Sequence, residues 1–201
     1  MFSKALAIEP ILLESSRFPT LSGHSGRVRG MELGCLFVMG TLAAVAAHVV
    51  QMKLLIPGHA IVRVVFPIAL GLALVPRRGS GLVMGTVGLG ASLMIGATRL
   101  GTPGFGATTS LVLSGILMDL VARRARVGWQ LYGGLAIAGC LTNLAAFGFK
   151  AATKLGGIDP GWSHWHTWWP RAVISYPLCG LVAGLVCAMI VFRFRGRRDE
   201  S

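Results

Sequence analysis

Charge is scarce in this chain, and acidic charge is scarcer still. Only 13% of the 201 residues are charged, and seven are Asp or Glu. A soluble domain usually carries about 25% charged residues, so a soluble globular fold is excluded. The motifs of common membrane and soluble enzymes are also missing. There is no H-E-x-x-H, no G-x-S-x-G and no pair of carboxylates within an apolar run. No phosphate-cradling loop is present, so this chain cannot hydrolyse ATP by itself. The four cysteines, Cys35, Cys140, Cys179 and Cys187, form no C-x-x-C pair and fall inside apolar stretches, which suits small packing residues. These absences read as a protein that is not an enzyme and holds no cofactor and no metal.

What is present is apolar. Hydrophobic residues make up 54% of the chain, and the mean hydropathy is +0.70. Apolar runs extend from about Leu33 to Ile56, Ala60 to Val75, Gly79 to Leu100, Phe105 to Val121, Trp129 to Phe149 and Ala172 to Phe192. About 20 helical residues span a ~30 Å hydrocarbon core. The expected fold is an all-α integral membrane protein, a bundle of about six transmembrane helices with both termini cytoplasmic. Residues 1–30 read as a cytoplasmic or interfacial tail, 31–195 as the membrane domain and 196–201 as a basic tail. Met31 directly precedes the first run and is a candidate alternative start.

The formal charge is +12. Its basic residues cluster at helix ends, which points to anionic lipid headgroups and not to nucleic acid. Lys4, Arg17, Arg27, Arg29, Arg77, Arg78, Arg123, Arg124, Arg126, Arg193, Arg195, Arg197 and Arg198 fall on one side of a six-span layout. Lys53, Arg63, Arg99, Lys150, Lys154 and Arg171 fall on the other. The positive-inside rule assigns the first side to the cytoplasm of a prokaryotic inner or plasma membrane.

The third run, GSGLVMGTVGLGASLMIGATRL, has no charge from Gly79 to Thr98 and pairs Gly81 with Gly85 four residues on. In a membrane such small residues let backbones approach closely, so this helix is expected to pack centrally. The first run contains GTLAAVAAHVVQ. Gly40, Ala43, Ala44 and Ala47 make one face nearly flat, fit for another helix or another protein. Pro67 predicts a kink in the second run, and Arg63 is placed to snorkel.

The candidate binding residues gather on the less basic side. His48 is costly within a span unless it faces a cavity or a partner, and Gln51 lies one turn on. Either both contact a ligand or both bond between helices. His59 follows Pro57-Gly58 in a turn. Asn143 is interhelical glue or a pocket group. The longest connection, from Lys150 to Arg171, carries His164, Trp165, His166, Trp162, Trp168 and Trp169. It is either an interfacial aromatic belt or a lid whose rings stack on a ligand. A metal on His164 and His166 lacks further ligands nearby. Asp119 precedes Arg123 by four residues, the favourable order for an ion pair.

This layout resembles the substrate-binding S components of energy-coupling factor (ECF) vitamin transporters. The likeness lies in GTLAAVAAH, GSGLVMGTVGLG, SLVLSGILMDL, the Pro57-Gly58-His59 turn and GGLAIAGCLTNLAAF, within residues 31–195. It implies capture of a small, vitamin-like molecule on the outer side, with a transmembrane coupling subunit and two ATPase subunits as partners. It implies that Gly40, Ala43, Ala44 and Ala47 form the face that docks on the coupling subunit. Later helices and outer loops would line the pocket, pointing to Asn143, His164, Trp165 and Tyr176. The N-terminal Met-His motif of the cobalt and nickel members is missing. A small membrane anchor or assembly protein is the alternative that the same small-residue faces allow.

Overall fold

The computed structural model describes residues 30–49, 58–98, 105–125, 128–156 and 165–196. They form six helices: α1 (Gly30–Val49), α2 (Ile61–Leu74), α3 (Ser80–Ala97), α4 (Phe105–Arg124), α5 (Gly128–Leu155) and α6 (Trp165–Gly196). No strand occurs among the described residues. All but α2 are long and apolar enough to cross a membrane. The 14 residues of α2 reach only about 21 Å at ~1.5 Å per residue. The chain is therefore an all-α membrane bundle.

Small residues face inward and large ones outward. Ala43 and Ala44 of α1 are fully buried, while Phe37 and Val38 on the same helix are 59% and 58% exposed. Met94, Ile137, Ile174 and Leu178 likewise point out of the bundle. Lipid tails solvate such side chains as well as a protein core does, so membrane helices associate through close backbone approach instead. Gly81 on α3 and Gly115 on α4 each lie so near the other's carbonyl that a Cβ at either would collide with it. Gly139 on α5 and Gly180 on α6 repeat this arrangement. These pairs, with Gly85 against Leu111 and Phe147 against Tyr176, run α3–α4 and α5–α6 antiparallel.

Several hydroxyl groups are satisfied within their own helices. Thr41, Thr86, Ser110, Ser114 and Thr142 donate to carbonyls three or four residues back, which suits a medium without water.

Two expectations need correction. The central helix is α2, not the glycine-rich α3. Ile61, Val64, Val65, Pro67, Ile68, Ala69, Gly71 and Leu72 are buried, and α2 packs on every other helix. A short helix can be wrapped on all sides, whereas α3 lies mainly between α1 and α4. Second, the connection from Lys150 to Arg171 is not one long loop. α5 continues to Leu155 and α6 begins at Trp165, because Lys150-Ala-Ala-Thr-Lys-Leu155 contains good helix formers and α6 accommodates Pro170 within its first two turns. The flat face of α1 meets another helix, one of the two kinds of partner its small residues allow, and points into the bundle. A Cβ on Gly40 would lie 2.6 Å from the Met84 carbonyl oxygen of α3. Gly40, Ala43 and Ala44 are buried, and Ala47 packs against the same core, so this face is already occupied by the chain's own helices.

Candidate functional site

Two polar clusters lie at opposite ends of the bundle. At the basic end the turn Pro76-Arg77-Arg78-Gly79 joins α2 to α3 and is held from both sides. Arg77 pairs with Glu32 at the start of α1, 3.0 Å apart. Gly79, in the left-handed region at φ +89°, donates its N–H to both oxygens of Asp119. Asp119 is 3% exposed and also pairs with Arg123 one turn on. A carboxylate at the start of α3 meets the positive end of the helix dipole. The expected Asp119–Arg123 pair is present, and the cap on α3 is an additional role that spacing along one helix does not signal.

The other end assembles the candidate site. Gly58 adopts φ +87°, a conformation that strains any residue with a side chain. There is also no room for one. A Cβ would lie 3.0 Å from Asn143 Nδ2, 3.0 Å from Tyr176 Cα and 3.1 Å from Tyr176 Cγ. The Gly58-His59-Ala60 turn thus seats its backbone directly on α5 and α6. Asn143 locks it there: Nδ2 donates to the Gly58 carbonyl at 3.0 Å and to the Tyr176 carbonyl at 2.7 Å. Asn143 is interhelical glue in this arrangement.

Aromatic rings extend the cluster. Phe147 follows Asn143 by one turn on α5. Its ring centroid is 5.2 Å from that of Trp169 and 5.3 Å from that of Tyr176. Tyr176 is 7% exposed, while Trp169 is 39% exposed. The group thus grades from a buried polar floor to an accessible ring. The rings present stacking faces at this end of the bundle, while both amide donors of Asn143 are taken up by backbone carbonyls.

Of the residues singled out from sequence, the structure brings Asn143, Tyr176 and the turn carrying His59 together. His48 lies elsewhere, on α1. Its Nδ1–H donates to the Ala44 carbonyl at 2.8 Å, and its Nε2 is buried without a hydrogen-bond partner. Gln51 and His164 lie outside the described residues. Trp165 and His166 fall in the first turn of α6, and their side chains lie outside the description. Phe147 was missed from sequence, although its spacing of four from Asn143 marks the same helix face. No three His, Cys, Asp or Glu side chains converge as a metal site among the described residues.

No family model matches the chain, and neither a curated protein nor a solved structure shows significant similarity to it.

Proposed function

We propose that this protein is the membrane-embedded substrate-binding subunit of an ECF-type importer. It captures a small, vitamin-like molecule on the outer side and draws energy from a partner coupling subunit and two ATPases. The observation that carries this reading is the convergence of the Gly58 turn, Asn143, Phe147, Tyr176 and Trp169 at the end of the bundle remote from Arg77 and Arg123. With the basic end in the cytoplasm, as the positive-inside rule directs, that cluster faces outward. Six passes, with α2 as the short one, then bring both termini to the cytoplasmic side.

The burial of Gly40, Ala43 and Ala44 changes one part of the expected mechanism. Docking on a coupling subunit through that face would require α1 to leave α2 and α3. The outward face of α1, with Phe37, Val38 and Leu42, is the surface a partner meets first.

A membrane anchor or assembly protein is the second reading. Both Asn143 donors are taken up by backbone carbonyls, which favours a purely structural role for that residue. Protein purified in mild detergent from its own host separates the two. Denaturation followed by mass spectrometry of the released small molecules should give one stoichiometric compound, and Trp169→Ala protein should retain much less of it. Ligand-free wild-type protein would favour the anchor.

A further inference from the structure

At the basic end of the bundle, Arg77 takes up Glu32 and Arg123 takes up Asp119. Glu32 and Asp119 are the only carboxylate side chains among the described residues. Arg78 and Arg124, both exposed, therefore leave this end with a net positive charge. The charges are not scattered. The Gly79 N–H and the Arg123 guanidinium both bond the same oxygen, Asp119 Oδ2, so the Arg78–Gly79 peptide lies beside Arg123. The Arg123 side chain is 41% exposed despite that bond.

Next to these charges runs the seam between α3 and α4, which meet at Gly81 and Gly115. On two antiparallel helices, one residue past each contact turns about 100° to the same side of the seam. That side carries Leu82 and Ile116, 46% and 41% exposed, with Leu120 one turn nearer the arginines. Arg123 is eight residues past Gly115, which brings it round to this side as well. The opposite side carries Ser80, Met84, Ser114 and Met118, all buried. The seam is thus an apolar groove open to lipid. Its floor is glycine, without side chains to fill it, and guanidinium groups stand at its basic end.

An acyl chain suits the groove, and a phosphate suits the forked donors of the arginines. A choline headgroup brings a second positive charge beside those arginines, whereas a glycerol headgroup leaves the phosphate charge uncompensated. We propose that the α3–α4 seam binds one anionic phospholipid from the leaflet at the basic end, with its phosphate on Arg78 and Arg123 and an acyl chain along Leu82 and Ile116. This site needs only the membrane bundle and is independent of the importer reading.

The test is native mass spectrometry of the full chain in detergent, titrated separately with phosphatidylglycerol and phosphatidylcholine of identical acyl chains. The first phosphatidylglycerol should bind roughly fivefold more tightly than the first phosphatidylcholine, and Arg78→Gln should remove most of that preference, since one arginine at an anionic headgroup contributes about this factor. Arg78 lies in an exposed turn and makes neither the Asp119 nor the Glu32 pair, so the variant should fold. Arg171→Gln removes the same charge from an exposed position at the opposite end and should leave the preference intact. Leu82→Trp fills the groove and should weaken both lipids alike. Equal affinities for the two lipids, or equal losses in Arg78→Gln and Arg171→Gln, overturn the headgroup site. Unchanged lipid affinity in Leu82→Trp overturns the acyl groove. Dimers in place of lipid adducts, abolished by Leu82→Trp, would assign the seam to a second copy of this chain and overturn the lipid.

Discussion

Both carboxylate oxygens of Asp119 accept the backbone N–H of Gly79, at 3.1 and 3.2 Å. The contact ties the start of α3 to the end of α4 across forty residues of sequence. It depends on Gly81 and Gly115 one turn further in, whose close approach brings the Asp119 Cβ beside Gly81. Cap and glycine contact act as one unit, so each should be sensitive to loss of the other.

Asp119→Ala should lower stability by about 1–3 kcal/mol, combining a lost helix cap with a lost ion pair. Asp119→Asn keeps an acceptor for Gly79 and should cost less. Unfolding in mixed detergent micelles measures both. Equal losses would mean that the charge, not the cap, holds this end together.

The glycines should divide into two classes. Gly81→Ala and Gly115→Ala each force a methyl group into a facing carbonyl and should cost at least about 2 kcal/mol by driving α3 from α4. Gly90→Ala and Gly133→Ala meet nothing within 4 Å and should be neutral or slightly stabilising, by up to about 1 kcal/mol. A uniform response across the four would argue against the close helix contact.

Asn143→Asp should be worse than Asn143→Ala. The amide donates to two carbonyls, and a carboxylate would present acceptors to acceptors. Losses of about 1–2 kcal/mol for Ala and clearly more for Asp are expected. Gly58→Ala should add to this, since it combines a left-handed backbone with contacts at 3.0 Å. Thermal midpoints in nanodiscs check the ranking. An Asp variant as stable as wild type would show that the amide is not what holds the turn.

Ala44→Leu should destabilise by about 1–3 kcal/mol, because Ala44 is fully buried and the core has no space for three more carbons. Leu42→Ala, at a site 46% exposed on the outside, should change stability little. The reverse order would place the flat face of α1 outward and restore it as a docking surface.

The membrane class, the approximate helix positions and the Asp119–Arg123 pair were legible because hydropathy and i,i+4 spacing are local signals. Small residues on α1 and α3 marked close contacts but not their partners. The Gly40 face could meet another protein or another helix, and only the fold assigns it to α2 and α3. The central place of α2 was hidden by its length, since a 14-residue run looks peripheral when spans are ranked by hydropathy. Pro170 and the tryptophans suggested a loop, yet proline is accommodated near a helix start. Asn143 was legible as polar and intramembrane. Its bond to Gly58, 85 residues earlier, was not, because backbone carbonyls carry no sequence signature.

The most direct test of the substrate-binding account is native mass spectrometry of the protein gently extracted from its host membrane. The account predicts one copy of this chain with a bound small molecule, a transmembrane coupling subunit and two ATPase subunits. A ligand-free chain held stably by a complex without ATPases would contradict it.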